Sequence, residues 1–443
     1  MKQLRSFLYC MALALLMLPV AGFAKSTTVS TLGELYAAMA QARGGETILL
    51  RGGEYGKLVL QKKSGFNYAY PREVTLRSAN PDQPAVFSGA DVRGAGNLTF
   101  EAIVFDYRFK PGTPVHAKPF KFIEGRNLTI RNSIFDGDVA RGVDAKQDGL
   151  GYGIGAVFPR NRGLVFEYNE IYTFHRGMTM GKGFNATIRG NDIHSIRSDG
   201  MNFSQMQGVL IEANYIHDFI RSKLKSDHAD MIQFWTNRTD QPSTDITIRG
   251  NVLMAGNGNS TQTIFMRNDM VDRGLKGREM FYRNVVIEDN VIVNGHVHGI
   301  TLGEAAGVRI RNNTLLRGQA FAQGKNRSRK AKMPRIKVAG ASTDVQILRN
   351  LGATFQEPQF GWDMRDNLVV QDIRLDLPGA YPTYFKDALH GPPDQLETFV
   401  YLPGGLVARQ KLGATLLQPG LKARARFAAG PGAAGGKAPK VKR

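Results

Sequence analysis

The sequence predicts an all-β protein: a right-handed parallel β-helix, which is a solenoid of strands, with an N-terminal capping helix and an irregular C-terminal segment. Three observations predict this fold. A segment of strand, turn and strand recurs along the chain, asparagine recurs at the turn, and a short amphipathic helix precedes the first repeat. Repeats with a period of about 20 to 50 residues stack on one another and bury a shared apolar face.

The first 24 residues have the composition of a cleavable secretory signal. Lys2 and Arg5 precede an apolar run that closes in small residues. The only cysteine, Cys10, lies in this segment, so a mature chain beginning near Lys25 would have no disulfide and no cysteine metal site. No later stretch reaches the ~18 apolar residues that a membrane span needs. We therefore expect a periplasmic or secreted protein, monomeric and without a membrane span.

Residues 31–42, "TLGELYAAMAQA", predict the capping helix. Thr31 and Glu34 have the spacing of a capping box, in which each side chain bonds to the backbone near the other. Four apolar residues share one face of this helix: Leu32, Leu35, Tyr36 and Met39. Such a face can cover the open end of a solenoid.

The repeat has a basic period of about 22–23 residues, lengthened in places by a loop. Alternating apolar and polar residues, followed by a turn and a second apolar stretch, indicate strand, turn and strand. Leucine-rich repeats share the period, but their leucine spacing and helical half are missing. Clear copies begin at residues 185, 208, 245, 284 and 307, with weaker ones at 97, 127, 163, 344 and 367. The β-helix with its cap is therefore placed at residues 25–375.

Asparagine occupies the turn of most repeats, and Ser133 takes the same position in an earlier one. Asparagine tolerates left-handed backbone, and its amide can bond to the coils on either side. We therefore expect a stack that permits the turn and satisfies buried polar groups, made of Asn169, Asn191, Asn214, Asn251, Asn290, Asn313 and Asn350.

Beyond residue 375 the repeat ends, and proline and glycine residues interrupt regular secondary structure. Residues 376–421 are expected to cover the last coils. Residues 422–443, rich in Gly, Ala and Lys, are expected to form a flexible basic tail.

Aligning the strands that follow each turn places polar residues on one outward face. Apolar ladders point inward, because residues two apart on a strand share a face. One outward column is Arg176, Asp199, Asp230, Gln262 and His298, and the next is Thr179, Asn202, Gln233, Phe265 and Thr301. Parallel strands lie ~4.8 Å apart, so Asp199 and Asp230 are expected to be neighbours.

Two interpretations of this acidic pair are open. In the first, the aspartates terminate strands by bonding to loop amides, as Asp often does. Alternatively they form a site, because like charges on adjacent coils need a partner: a cation such as Arg176, the adjacent His228, a bound metal ion or a shared proton. A further column of Tyr172, His194 and His217 is interpreted as structural stacking rather than a metal site.

The formal net charge of +20 indicates a polyanionic partner. For an exported protein an acidic polysaccharide is favoured, and no nucleic acid is expected. Three basic segments, residues 220–228, 266–283 and 324–337, are expected to rim a groove for a linear anionic chain. The candidate substrate-binding residues are Asn202, Gln233, Lys182, Lys225 and Arg267.

The N-terminal stretches "TLGELYAAMAQARGGETILLRGGEYGKLVL" and "REVTLRSANPDQPAVFSG" resemble the cap and first coils of pectin-lyase-like β-helix proteins. The resemblance is closest to polysaccharide lyases of the alginate lyase and chondroitinase B type, and with the repeats it extends over about residues 28–375. It implies the fold, but the superfamily includes lyases, hydrolases, C5-epimerases and non-catalytic phage or adhesin stalks.

The residues suit an exported carbohydrate-active enzyme that cleaves a uronic-acid-containing polysaccharide by β-elimination. This reaction needs a base, a cation beside the substrate carboxylate and an acid for the leaving oxygen. His228 is the candidate base, with Asp227 or Asp230 fixing its tautomer. The cation would come from Arg176, Arg267 or Lys225, and the acid from His298 or a tyrosine. Asp199 and Asp230 could also hold Ca²⁺ with Asn202 and Gln233, and no other cofactor is expected.

Three alternatives remain. "DHAD" at 227–230 is similar in content, but not in order, to the Asp-Pro-His-Asp motif of mannuronan C5-epimerases. "SDGMNF", "HADMIQ", "HGITLG" and "RIK" follow the order of polygalacturonase-type hydrolase motifs, although an extra coil separates two of them; such hydrolases use two carboxylates. A non-catalytic polysaccharide-binding adhesin would explain the basic segments alone.

Overall fold

The computed structural model describes residues 26–61, 68–222, 224, 227–255, 261–318 and 333–422. Its strands form three parallel sheets that run along a solenoid, and each full coil adds one strand to each sheet. The parallel β-helix is therefore confirmed. The predicted signal segment and most of the basic tail lie outside the described residues.

The first sheet contains the strand that precedes each asparagine turn, and it has 13 strands. These strands are Ser26–Val29, Thr47–Leu50, Ala69–Ser78, Gly96–Glu101, Arg126–Arg131, Val165–Glu167, Phe184–Arg189, Gln207–Glu212, Thr244–Arg249, Tyr282–Glu288, Ala305–Arg311, Thr343–Leu348 and Asp363–Arg365.

The second sheet contains the short strands that follow each asparagine turn. They are Val104–Asp106, Ile134–Asp136, Glu170–Tyr172, Asp192–His194, Tyr215–His217, Val252–Met254, Val291–Val293, Thr314–Leu316, Leu351–Gly352 and Leu368–Val369.

The third sheet closes each coil and carries the predicted polar face. Its strands are Phe120–Ile123, Ile154–Pro159, Arg176–Gly181, Met201–Ser204, Asp230–Phe234, Gln262–Met266, His298–Leu302 and Arg335–Val338. Two long N-terminal strands, Gly53–Leu60 and Ala85–Arg93, pair with each other. Ala85–Arg93 then continues into both the second and the third sheets. A small antiparallel pair, Asp138–Val139 with Gly151–Tyr152, lies outside the coils.

Apolar side chains form continuous ladders inside the coils, in the register expected from the alternation. A fully buried apolar side chain stabilises a fold by roughly 1.5–3 kcal/mol, so each coil is held by its neighbours. Two of these buried ladders are Met178, Met201, Ile232, Ile264 and Ile300, and Met180, Phe203, Phe234, Met266 and Leu302.

The asparagine stack forms as expected. The backbone N–H of Asn191 donates to Oδ1 of Asn214 over 3.0 Å, and its Nδ2 donates to the carbonyl of Phe166 on the previous coil, also over 3.0 Å. The same pattern runs from Ser133 to Asn367. One expectation was wrong: the left-handed residue is the one before each asparagine, such as Ala213 with φ 55°. The asparagine itself supplies the hydrogen bonds.

The capping helix is Leu32–Gln41, and Leu35 and Met39 are buried beneath it. Thr31 accepts from the Glu34 N–H over 3.2 Å. Glu34 in return accepts from the N–H of Ser30 over 2.7 Å, one residue earlier than in the predicted capping box.

The C-terminal segment packs against the outward side of the second sheet. The hydroxyls of Thr314 and Tyr401 are 2.6 Å apart, and Arg317 forms an ion pair with Asp372. Its helical turns are Tyr381–Thr383, Leu396–Phe399, Leu406–Gln410 and Thr415–Leu417, and two others, Asp269–Asp272 and Arg278–Met280, follow a third-sheet strand. No helix in the described ranges is long and apolar enough to cross a membrane.

Candidate active site

The outward face of the third sheet brings the two aspartates together. Met201 pairs with Ile232, and this register places Asp199 beside Asp230 at the start of adjacent strands. The buried ladders hold the strands beneath, so the polar groups rest on a rigid support. Donor atoms of Asp199, His228 and Asp230 all lie within 4.8 Å of one another. We call these three residues the acid–histidine cluster.

Asp199 is buried but surrounded by polar partners. Nε of Arg176 lies 3.0 Å from its Oδ2, and Nδ2 of Asn202 donates to the same oxygen over 2.9 Å. Burial nevertheless raises the pKa of Asp199, since desolvation of the carboxylate outweighs the attraction of Arg176 and the bond from Asn202. The sequence grouped these three residues correctly on one face.

Asp230 and His228 form the pair in the cluster that most resembles a catalytic base with its supporting carboxylate. Nδ1 of His228 lies 2.9 Å from Oδ2 of Asp230, whose carboxylate is fully buried while the imidazole is 56% exposed. Burial and the nearby Asp199 raise the pKa of Asp230 to about 6, although His228 opposes the shift. The hydrogen bond that His228 donates to Asp230 raises the pKa of the imidazole. With Nδ1 directed at Asp230, Nε2 faces outward and lies 3.0 Å from Nε2 of Gln262.

A second carboxylate next to His228 has a different role from the one expected. Asp227 accepts from Nε of Arg197 over 2.9 Å, and the Arg197 guanidinium is fully buried. Asp227 is therefore held by Arg197, while Asp230 is the carboxylate that bonds to the imidazole. The Arg197–Asp227 pair connects the segment preceding Asp230 to the coil before it. Sequence reasoning missed Arg197, which lies in a loop without a repeat position.

The groove beside the cluster includes a cavity of about 420 Å³. Its walls contain Arg176, Asn202 and Trp235, together with His116 and Lys118 from a loop preceding the third sheet. The Trp235 indole donates to Oδ1 of Asn202. Trp235 could have been found by continuing the strand alternation by one residue. No sequence pattern points to His116 and Lys118, because the loop that contains them lies outside the repeat.

His298 lies on the same face but outside the cluster. Phe265 stands between the two imidazoles, with ring centroids 5.7 Å from His228 and 5.2 Å from His298. Nδ1 of His298 lies 2.8 Å from the Thr301 hydroxyl. His298 is therefore separated from Asp230 by two rungs, roughly 10 Å, and the cluster does not include it.

Two predicted substrate-binding cations, Arg267 and Lys182, lie apart from the cluster. Nε of Arg267 is 2.7 Å from Oδ2 of Asp272, in a local ion pair. Lys182 follows the end of its strand and lies around the turn, with Nζ 3.9 Å from Asp240. Lys225 lies outside the described residues, as does most of the basic segment 324–337.

The donor set of the cluster does not match the expected Ca²⁺ site. Asn202 faces Asp199 with its amide nitrogen, and Oε1 of Gln233 accepts from Asn202. The two amides therefore do not present oxygens to the aspartates. Ca²⁺ takes six to eight oxygen ligands, whereas the third group here is an imidazole nitrogen.

The histidine column on the second sheet stacks ring on ring, in the register expected from the repeats. The rings of Tyr172 and His194, and those of His194 and His217, stack with centroids 5.2 Å apart. Both ring nitrogens of His217 are taken by carboxylates, Asp192 at 2.9 Å and Asp218 at 2.8 Å. These carboxylates raise the pKa of His217 to about 9.

Comparisons with known proteins agree with this architecture. The family model described as "Right handed beta helix region" matches residues 122–315. The Dettilon tailspike protein gp208 is 15% identical, with a TM-score of 0.50; the match covers 79% of this chain and 63% of the tailspike. PfbA, a surface adhesin of Streptococcus pneumoniae, is 11% identical (TM-score 0.46, 79% and 94% covered). The PL6 family alginate lyase AlyGC is 15% identical (TM-score 0.45, 90% and 58% covered).

This chain thus spans less than two thirds of the tailspike and of the alginate lyase. At such identities the likeness shows the fold alone. No curated protein matches the sequence.

Proposed function

We infer that this chain, which folds as a right-handed parallel β-helix, is a carbohydrate-active enzyme that cleaves an anionic, uronic-acid-containing polysaccharide by β-elimination. The observation that carries the proposal is the pair formed by the half-exposed His228 and the buried Asp230. A buried carboxylate behind an imidazole fixes its tautomer and leaves the outer nitrogen available as a base.

The proposed reaction begins with the proton on C5 of a uronate residue. Nε2 of His228 takes this proton, the electron pair forms the C4–C5 double bond, and the bond from C4 to the leaving oxygen breaks. The imidazolium so formed is the acid that can return the proton to that oxygen. Arg176, partly exposed at the groove, can neutralise the substrate carboxylate and so acidify C5.

A second reaction is favoured by a separate observation. Asp199 and Asp230 are adjacent, and burial raises the pKa of both, which favours a state with one carboxyl protonated and the other ionised. That is the division of labour in glycoside hydrolysis by two carboxylates. Epimerisation at C5 would use the same base without breaking the glycosidic bond.

One experiment separates these reactions. The protein is incubated with alginate, pectate, glycosaminoglycan and bacterial exopolysaccharide panels while ultraviolet absorbance of the unsaturated sugar and new reducing ends are followed. Absorbance with new ends supports the lyase, and ends without absorbance indicate the hydrolase. Exchange of the C5 proton without cleavage indicates the epimerase, and binding alone indicates a non-catalytic adhesin.

The matched variants are His228→Ala and His390→Ala. His390 is exposed on the C-terminal segment, far along the chain from the cluster. We expect His228→Ala to lower turnover about 10²-fold or more, the usual scale for a general base, and His390→Ala to leave it unchanged. Equal activity of the two variants would move the active site elsewhere.

We also propose that the protein acts in the periplasm or outside the cell. The support is the signal-like composition of residues 1–24, together with a polymeric substrate. Fractionation of cells that express the full chain, followed by N-terminal sequencing, would test this; a product retained in the cytoplasm with residues 1–24 intact would contradict it.

A further inference from the structure

A second groove lies around the corner from the acid–histidine cluster, on the turns that lead from the third sheet into the first. It encloses about 710 Å³. Four cations line it: Arg126, Arg160, Arg162 and Lys182. We call it the basic groove.

The cations are arranged in two columns along the solenoid. Glu124, Arg160 and Lys182 occupy one position on successive coils, each N–H bonding to the next coil. Arg126 and Arg162 form the second column. The backbone of Arg162 forms a parallel β-bridge with Phe184 on the next coil. Successive positions are ~4.8 Å apart, so the columns present a regular row of charge parallel to the solenoid axis.

The first column shares the left-handed backbone found at many turns of the solenoid. Arg160 and Lys182 have φ of 58° and 55°, and Gly94, one coil before Glu124, has φ 65° in the same column. Glu124 and Gln205 are left-handed as well, so this conformation belongs to the turn. The turn therefore sets where the two cations stand along the groove.

Acidic partners compensate only part of this charge. Arg160 pairs with Glu124 at 2.7 Å, and both side chains are more than half exposed. Lys182 has only the distant contact with Asp240. No carboxylate in the described ranges lies within ion-pair distance of Arg126 or Arg162.

Arg162 is also held in place by an aromatic ring. Its guanidinium carbon lies 4.0 Å above the centroid of Phe184, an arrangement that orients the planar fork. Such a fork binds carboxylates bidentately. Phe184 is covered by the guanidinium, so it is not open for the base stacking on which single-stranded nucleic acid binding relies.

We propose that the basic groove is a non-catalytic binding site for a linear polyanionic saccharide, which holds the polymer while the cluster acts on another part of it. Arg176 and Lys182 are at opposite ends of one stretch of strand, about 20 Å apart. The 420 Å³ cavity shares Gly181 with this stretch, so a polymer can pass from one groove to the other. The identity of the polymer as a polyuronate rests on the proposed function; the existence of the site does not.

The test measures binding in protein that cannot turn over its substrate. In a His228→Ala background, the variant Arg160→Gln/Arg162→Gln is compared with Arg189→Gln/Arg249→Gln. The control arginines are exposed to a similar degree on the first sheet, where they pair with Glu167 and Glu212. Both double variants remove two positive charges, so they differ in position only.

The probes are alginate and polygalacturonate, with an oligothymidylate of matched charge as the nucleic-acid probe. We expect the groove variant to weaken polyuronate binding roughly tenfold, as two ion contacts of ordinary strength would. It should also reduce the slope of log Kd against the logarithm of the salt concentration by about one to two. The control should change neither quantity, and thermal unfolding should show that both variants fold.

Equal weakening by both double variants, or by neither, would overturn the proposal. A loss confined to the oligothymidylate would make the groove a nucleic-acid site and would likewise overturn it. Because the readout is binding by an inactive protein, an absence of lyase activity in wild type would refute the proposed function and leave this result untouched.

Discussion

Replacing Asp230 by asparagine is expected to inactivate the protein and stabilise it at the same time. The side chain keeps its shape, and its oxygen can still accept from Nδ1 of His228, so packing is preserved. The charge that supports the base is lost, and turnover should fall about 10²-fold. The substitution also removes the negative charge of the buried carboxylate, which destabilises the folded state.

The magnitude follows from the pKa of Asp230, which is raised to about 6, against about 3.9 in an unfolded chain. A carboxyl whose folded pKa is raised favours the folded state while it is protonated. That advantage is fully present below about pH 4 and is lost as pH rises to about 6. Two pKa units correspond to an upper bound of about 3 kcal/mol.

The raised pKa of His228 acts in the same direction, since its stabilising contribution is present below about pH 6.5 and disappears as pH rises through the folded value. Above the folded pKa of His228 this contribution is gone, so the cost of the ionised Asp230 stands alone. We expect Asp230→Asn to exceed wild type by about 1–3 kcal/mol at a pH above that pKa and to equal wild type near pH 4.

The assay is equilibrium urea unfolding followed by far-ultraviolet circular dichroism at the two pH values. Asp82→Asn, a change at an exposed turn residue, is the control and should show no pH-dependent difference. If Asp230→Asn is less stable at both pH values, or differs from wild type by a constant amount, the carboxylate is not the buried, repelled group described above. Full activity of the variant would refute its catalytic role.

Four other outcomes are expected. Asn191→Ala should reduce the free energy of unfolding by about 1–3 kcal/mol, because it leaves buried amide and carbonyl groups unsatisfied; urea unfolding checks this, and a neutral result would mean that the stack is dispensable. Asp227→Ala should cost about 3–5 kcal/mol in the same assay by leaving the buried Arg197 guanidinium uncompensated, and a loss below 1 kcal/mol would show that Arg197 reaches solvent. Exhaustive chelation by EDTA should leave turnover unchanged, whereas loss of activity with recovery on adding Ca²⁺ would restore the calcium hypothesis. The acid limb of kcat/KM should have its midpoint above the ordinary histidine value of about 6.5, because Asp230 raises the pKa of His228 and the base must be neutral; a limb well below that value would assign it to a carboxyl.

The periodic parts of the molecule could be predicted from the sequence. Each inward position recurs at a fixed place in the repeat, so Met201 and Ile232 could be paired without coordinates. The same register placed Asp199 beside Asp230. The asparagine stack followed from one recurring residue type, although the left-handed backbone falls one residue earlier.

What could not be predicted lies where the period fails. Asp227 pairs with Arg197 across a loop whose length varies between coils, so no alignment of repeats connects them. Lys182 was assigned to the substrate face because it follows an outward strand. The left-handed backbone at this residue instead turns the chain toward the first sheet and carries the side chain into the basic groove.

The acid–histidine cluster draws on consecutive coils, because Asp199 directly precedes the strand Met201–Ser204 and Asp230 begins the adjacent strand of the same sheet. In a solenoid, each coil is stabilised by its immediate neighbours, and unravelling starts at the ends. These coils lie between the N-terminal cap and the last strands of the stack. Unravelling from either terminus must therefore disrupt several coils before it reaches the acid–histidine cluster. Hydrogen exchange should be slowest at the strands beneath Asp230, and catalytic activity should survive partial unwinding that already registers as lost strand content.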